Sequence, residues 1–314
     1  MHIPDNFLST PVWASLDAGA IPALAIVLRE ARRATDSNRL PLLGVMGAFV
    51  FAAQMINFPV GLGTSGHLVG GTLLACLLGP WAAALVVTAI LIVQALIFQD
   101  GGVLALGANI INMALIGVLA GYLPARCLLG TRWNSFGIFL GGTCSVLVSG
   151  VLALTELLLS GIRMPSTLIG ASLTLFAVNA VLEGGITVSV LRAIYKLNPG
   201  FTETAIYGAH VPVRAQPLLP RVISWVTLAA VTFATLGIWL ASRLPDGLKH
   251  LAQELGLAFG VQPVFRPPLS DYQIAALGGN WFSRTGAGLL GLVLIYGVCA
   301  LGGRLIARGR RSYS

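Results

Sequence analysis

Apolar runs recur along almost the whole of this chain, at about residues 11–28, 41–58, 66–79, 81–98, 104–124, 136–160, 167–191, 222–241 and 286–306. A run of roughly 20 apolar residues crosses a hydrocarbon layer as a helix. Only helices and closed barrels satisfy every backbone group there. These runs are too long and too continuous for barrel strands. The expected fold is therefore all-α, a polytopic helical membrane protein with about nine transmembrane helices. Charged residues make up only 10% of the chain, against about 25% in soluble domains. The third run is short and abuts Gly79-Pro80. Read as a half-helix packed inside the protein, it leaves eight full crossings. Thr10 is placed to cap the first helix, with Pro11 as its first residue.

A net charge of +8 raises nucleic acid as a partner, but the basic residues sit in short clusters between the apolar runs. Under nine spans, fourteen of the nineteen Lys and Arg residues fall on one side, from Arg29, Arg32, Arg33 and Arg39 to Arg304, Arg308, Arg310 and Arg311. The other side holds Arg163, Arg243, Lys249, Arg266 and Arg284. The positive-inside rule assigns the first side to the cytoplasm. The expected location is the cell membrane, multi-pass, with the N-terminus outside, the C-terminus cytoplasmic and lipid around the bundle. The first ten residues lack a basic region and an apolar core, so no cleaved signal is expected and Met1 should survive. Cys76, Cys127, Cys144 and Cys299 have no paired spacing and read as small packing residues.

The chain divides near a proline-rich polar stretch containing Pro199, Pro212, Pro217 and Pro220. Residues 1–200 form a seven-span unit, 201–220 a cytoplasmic linker, and 221–314 a two-span unit with an outside segment of about forty residues. In that segment Pro245-Asp246-Gly247-Leu248 opens an amphipathic helix. Asp246 can cap it, Leu248, Leu251 and Leu255 share a face, and Gly256 can end it. Such a loop is too small for its own core, so it should pack on the first unit. The pairs Gly66/Gly70, Gly117/Gly121 and Gly137/Gly141 have the spacing that brings helices close.

Of the four histidines, His210 and His250 read as solvated. His2 and His67 differ, because His2 stands at the outer chain end and His67 at the outer start of an apolar run, where polar groups tend to be functional. The Met1 α-amine, the His2 amide nitrogen and His2 Nδ1 can close a five-membered and a six-membered chelate ring on one ion. Three fused nitrogens are nearly coplanar and leave a fourth in-plane position, which His67 can fill. Tetragonal nitrogen donors suit Ni(II) or Cu(II), whereas Mg²⁺ and Ca²⁺ take oxygen. The alternative is a packed N-terminal tail, with His67 bonded to a backbone carbonyl. Asp17, Glu156 and Glu183 lie within or near spans. They either line a path or pair within the bundle, and their role stays open.

The segments Met1-His2-Ile3-Pro4-Asp5-Asn6-Phe7-Leu8-Ser9, Phe51–Pro59, Gly63-Thr64-Ser65-Gly66-His67-Leu68 and Gly107–Met113 resemble the M-type substrate-binding component of nickel and cobalt energy-coupling-factor transporters. The resemblance covers about residues 1–200. The Pro245–Leu248 segment resembles the small N-type component, so the chain looks like an M–N fusion. The resemblance implies a square-planar ion held by Met1, His2 and His67. Asn57, Thr64 and Ser65 would then orient the ligands. The sequence around Asn179 and Glu183 departs from the family's pattern, and no role is carried over to it.

The resemblance also implies a transmembrane coupling protein and cytoplasmic ATP-binding cassette ATPases as partners. Neither Lys196 nor Lys249 belongs to a Walker A loop. The chain is thus expected to be a transport component for Ni²⁺, or alternatively Co²⁺, with no catalytic residues and no resident cofactor. A passive channel and a membrane metalloenzyme are the rival classes. A channel needs weak, multiple sites, and a metalloenzyme needs an open coordination position.

Overall fold

The computed structural model describes residues 2–34, 40–61, 63–197, 219–242, 244–255 and 267–311. The first seven helices are α1 (Thr10–Ala34), α2 (Leu40–Gln54), α3 (Gly71–Leu78), α4 (Pro80–Phe98), α5 (Leu106–Cys127), α6 (Asn134–Leu159) and α7 (Ser166–Leu197). Next comes α8, Leu219–Thr232, continuing through a π-helical turn at Phe233–Gly237 into Ile238–Leu240. A short α9 (Gly247–Glu254) and a long α10 (Trp281–Arg311) follow. Between α2 and α3 the strands β1 (Phe58–Gly61) and β2 (Thr64–Gly66) form an antiparallel hairpin.

Every predicted apolar run contains a helix, and among the described residues seven helices are long and apolar enough to cross a membrane. The two that fall short of the nine expected are informative. Helix α2 has 15 residues and α3 only 8. At 1.5 Å per residue α3 reaches about 12 Å, well short of a layer about 30 Å thick. The half-helix reading of the third run therefore holds. Left-handed glycines bound it, Gly70 at φ 78° and Gly79 at φ 83°. Pro80 then starts α4, where a missing N–H costs nothing. The helix starts at Gly71, so His67 lies in the non-helical stretch ahead of it. Helix α1 begins at Thr10, which moves the expected cap back by one residue.

A continuous apolar core runs from Ile3 and Phe51 through Leu73, Leu91 and Val146 to Ile295 and Cys299. Large apolar side chains also cover the outside, Ile21 and Val293 among them. That surface is costly in water and natural in lipid. A Cβ on Gly141 would run into the carbonyl of Gly121, and one on Gly121 into Thr72. The two glycines thus let α3, α5 and α6 meet nearly backbone to backbone, as their spacing predicts.

The helices alternate in direction, so their connections gather at two ends. At one end meet the first residues, the hairpin, the loop after α4, the start of α5, and the segments around Asp246 and Tyr272. Helix α1 starts there and finishes at the far end with Arg32 and Arg33. Arg126 in the last turn of α5 and Lys196 in the last turn of α7 lie at that far end too. Helices α8 and α10 pack against α2. The proposed linker lies outside the described residues up to position 218, His210 included.

The expected amphipathic helix is α9, and it packs on the first part of the chain. The Asp246 carboxylate accepts from the Lys249 N–H at 2.8 Å, while Leu248 and Leu251 are buried. Ser65 N–H donates to Pro245 O at 2.8 Å, and Ser65 bridges Asp246 in parallel register. Residues 245–246 thus lie beside the hairpin, joined to it by a single isolated bridge. Gly256 lies outside the described residues.

Candidate metal site

The N-terminal segment runs into the bundle end. His2 is 2% exposed and Ile3 wholly buried. An extended segment in such a place must have its backbone groups satisfied. Asn109 supplies both partners for Ile3. Its Oδ1 accepts from the Ile3 N–H at 2.8 Å, and its Nδ2 donates to the Ile3 carbonyl at 3.1 Å. That carbonyl also accepts from Gly102 N–H at 2.8 Å. Asp5 Oδ1 accepts from Leu104 N–H at 2.8 Å. The loop after α4 and the start of α5 therefore cradle the residues that carry His2.

His67 arrives from the other side, just after β2, and is likewise buried. Its Nδ1 lies 2.9 Å from Leu68 O. With Nδ1 carrying the proton and donating there, Nε2 carries the lone pair, the tautomer that a second partner fixes in metal-binding histidines. Asn179 Nδ2 donates to His67 O at 3.4 Å. Glu183, completely buried, accepts from the Val69 N–H at 2.7 Å and the Gly70 N–H at 2.8 Å. The departure from the family pattern around Asn179 and Glu183 thus falls on residues that hold the His67 segment.

The two imidazoles lie parallel, with an interplanar angle of 6° and ring centroids 5.3 Å apart. With metal–nitrogen bonds of about 2 Å, both rings are within reach of one ion after small rotations. Neither ring nitrogen of His2 makes a hydrogen bond among the described residues. Nδ1 has the Asp100 carboxylate as its neighbour, and a buried Nε2 without a partner is costly unless something else binds there. No group of three or more His, Cys, Asp or Glu side chains among the described residues is arranged to hold a metal ion. Met1 itself lies outside the described residues.

Asp100 is the anion of the site, its Oδ1 3.4 Å from His2 Nδ1. Burial raises its pKa, but His2, Lys249 and His67 outweigh that and hold the carboxyl well below the usual range. Tyr272 Oη donates to Asp100 Oδ2 at 2.7 Å. Both Asp271 and Tyr272 have left-handed backbones, φ 54° and 57°, a conformation that costs non-glycine residues about 1–3 kcal/mol and gathers at functional sites.

The predicted orienting residues Asn57, Thr64 and Ser65 lie in or beside the hairpin. Thr64 Oγ1 donates to Gly61 O at 2.6 Å within the hairpin turn. Ser65 Oγ donates to Leu244 O at 2.7 Å. The Asn57 carbonyl accepts from Ser242 N–H at 2.7 Å. These hydrogen bonds tie the hairpin to the C-terminal segment. Asp100 and Asn109 contact the N-terminal segment instead, with Tyr272 holding Asp100, and the sequence reading gave these three no role. Asn109 stood inside a quoted motif; Asp100 and Tyr272 carried no local signal. The intramembrane carboxylates pair within the bundle. Asp17 Oδ1 accepts from Gly107 N–H at 2.6 Å, and Glu156 Oε2 from Asn112 Nδ2 at 2.9 Å. His250 sits 4.0 Å from the exposed Glu254, away from the site.

A polytopic helical bundle that buries a facing pair of histidines at one end defines a membrane component for transition-metal transport. The family described as "Cobalt uptake substrate-specific transmembrane region" matches residues 2–201, and the chain belongs to it. It is 30% identical to the probable fused nickel transport protein LarMN of Lactiplantibacillus plantarum, over 95% of this chain and 97% of that protein. It is 32% identical to the putative fused nickel transport protein NikMN of Archaeoglobus fulgidus, over 94% of this chain and 95% of the relative. The crystal structure of a truncated transition metal transporter aligns with a TM-score of 0.56 at 31% identity, covering 62% of this chain and 99% of that one. The chain is a transport component rather than an enzyme.

Proposed function

We propose that this protein captures nickel(II) outside the cell for an ATP-driven importer of the energy-coupling-factor type. Cobalt(II) is the alternative cargo. The observation that carries the reading is the buried, parallel pair of His2 and His67, with His67 Nδ1 set against Leu68 O. The ion is held in a plane by the Met1 α-amine, the deprotonated His2 amide, His2 Nδ1 and His67 Nε2. Asp100 beside His2 offsets part of its charge. Tetragonal nitrogen donors favour nickel, and the two fused relatives are described as nickel transport proteins. The family description names cobalt, which keeps it as the second reading.

The site-bearing end faces outward and the Arg-rich end faces the cytoplasm. Residues 1–200 act as the metal-binding unit, 201–220 as the linker and 221–314 as the accessory unit. A separate transmembrane coupling protein and cytoplasmic ATP-binding cassette ATPases reorient the loaded bundle. A chelate with fused rings holds its ion too firmly for a passive channel.

The test is insertion of one alanine between Met1 and His2, with nickel and cobalt binding measured by calorimetry and the ligand-field spectrum recorded. The insertion keeps every side chain and moves the imidazole out of the two-ring chelate. Lost affinity and a changed spectrum are expected. Parent-like affinity and spectrum would remove the proposed ligand set.

A further inference from the structure

Two histidines brought from distant parts of a chain bind one ion well only if their separation is fixed. A line of side-chain hydrogen bonds runs from the segment bearing His67 to Asp100, the anion beside His2. It starts two residues after His67, at the Val69 carbonyl, which accepts from Gln54 Nε2 at 2.8 Å. Gln54 Oε1 accepts from Gln94 Nε2 at 2.8 Å, and the same Nε2 donates to Tyr272 Oη at 3.2 Å. Tyr272 Oη donates to Asp100 Oδ2 at 2.7 Å, and Asp100 Oδ1 lies 3.4 Å from His2 Nδ1. Every link but one comes from the first hundred residues. The exception is Tyr272, which is 172 positions from Asp100.

We propose that Tyr272 is a positioning residue of the metal site, its hydroxyl holding the Asp100 carboxylate in place beside His2 Nδ1. This rests on the reading of His2 and His67 as ion ligands. Packing explains the ring, which stacks on Phe98 at a centroid distance of 4.7 Å and 18° and sits 6.1 Å from Phe51. Packing does not explain the hydroxyl, which accepts from the buried Gln94 and donates to the half-buried Asp100. The preceding segment is tied by Leu269 N–H to Ile97 O at 3.2 Å, and the left-handed turn at Asp271 and Tyr272 then directs the ring inward. Gln94 and Phe98 both belong to the π-helical turn that ends α4, an irregularity frequent at functional sites. It sets the partner of the hydroxyl and the platform of the ring on one turn. Without the hydroxyl, Asp100 loses its donor and His2 its fixed anionic neighbour. Partners that orient a ligand in this way typically contribute about 10–100-fold to metal affinity.

The test uses the full chain in lipid nanodiscs and nickel chloride as the probe. Tyr272→Phe keeps the stacked ring and removes only the hydroxyl. Nickel affinity should fall by about 10–100-fold, with a shifted ligand-field band and little change in the thermal midpoint of the metal-free protein. In an Asp100→Asn background the same substitution should add nothing, because both act through one link. Parent-like affinity and band for Tyr272→Phe, or fully additive losses with Asp100→Asn, overturn the proposal. A parallel His67→Ala separates the two levels. If it binds nickel like the parent, the ligand reading itself fails and this proposal falls with it. If it loses nickel while Tyr272→Phe does not, only the role of Tyr272 is lost.

Discussion

Asn109 holds Ile3 by both of its backbone polar groups, accepting from the N–H and donating to the carbonyl across 106 positions of sequence. One side chain thereby does what a neighbouring strand would do, one residue beyond His2. Asn109→Ala leaves both Ile3 groups short of a partner, at about 1–3 kcal/mol for each buried group left unsatisfied. Gly102 softens the loss at the carbonyl. Asn109→Asp keeps the acceptor and loses the donor. We expect both variants to lower the thermal midpoint and the nickel affinity, measured by differential scanning fluorimetry and calorimetry. Parent-like values in both would show that Asn109 does not hold the N-terminal segment.

On the proposed ligand set, His67→Ala removes one of four donors and leaves the three contributed by the first two residues. The affinity loss should exceed the roughly 10–100-fold typical of orienting partners. Added imidazole should restore part of the binding by occupying the vacated position. Calorimetry with and without imidazole reads both effects, and an undiminished affinity excludes His67 as a ligand.

Glu183 answers two backbone N–H groups just before α3. Glu183→Gln keeps the shape, but its amide turns a donor toward a donor at one of them. A destabilisation of about 1–3 kcal/mol is expected, seen as a lower thermal midpoint. Nickel affinity should fall too, because the His67 segment loosens. An unchanged midpoint would mean that the N–H groups find other partners.

Asp246 caps α9, and Asp246→Ala should cost about 0.5–2 kcal/mol of local stability. Burial raises its pKa, but nearby positive charge, Lys249 included, and the Lys249 N–H outweigh that and bring it to about 2. A folded pKa below the unfolded value of about 3.9 stabilises the folded form fully above that value. The stabilisation fades as pH falls from about 4 toward 2. Limited proteolysis of the 241–255 segment should therefore stay constant down to about pH 4 and rise below it. A rise already at pH 6 would contradict the assignment.

Much of this architecture is written locally. Apolar run lengths located the helices, Gly79-Pro80 marked the break between α3 and α4, and Asp246 announced the start of α9. His2 and His67 stood out because imidazoles are expensive in such places. The limits are equally physical. Run length does not reveal that α3 is helical for only 8 residues, because His67, Leu68 and Val69 stay non-helical with partners supplied by distant side chains. Glu183 was conspicuous as a carboxylate in a span, yet its partners are main-chain groups 113 and 114 positions away. Thr64 and Ser65 lie beside His67 in sequence, but their hydroxyls serve the hairpin and the 244–245 segment. Tyr272 meets Asp100 across 172 positions of sequence, a contact that no local pattern at either residue announces.

The junction at Ser65 is drawn largely in main-chain atoms, with the Ser65 N–H meeting the Pro245 carbonyl and a parallel bridge continuing to Asp246. Main-chain pairing is nearly indifferent to side-chain identity but unforgiving of register. A saturation scan across 242–244, just ahead of the Pro245–Leu248 segment, should record a permissive stretch, while insertion or deletion of a single residue there should abolish uptake. Evolution is thus free to rewrite the letters of this seam and constrained in their number, so spacing rather than residue identity is what related chains should hold in common here.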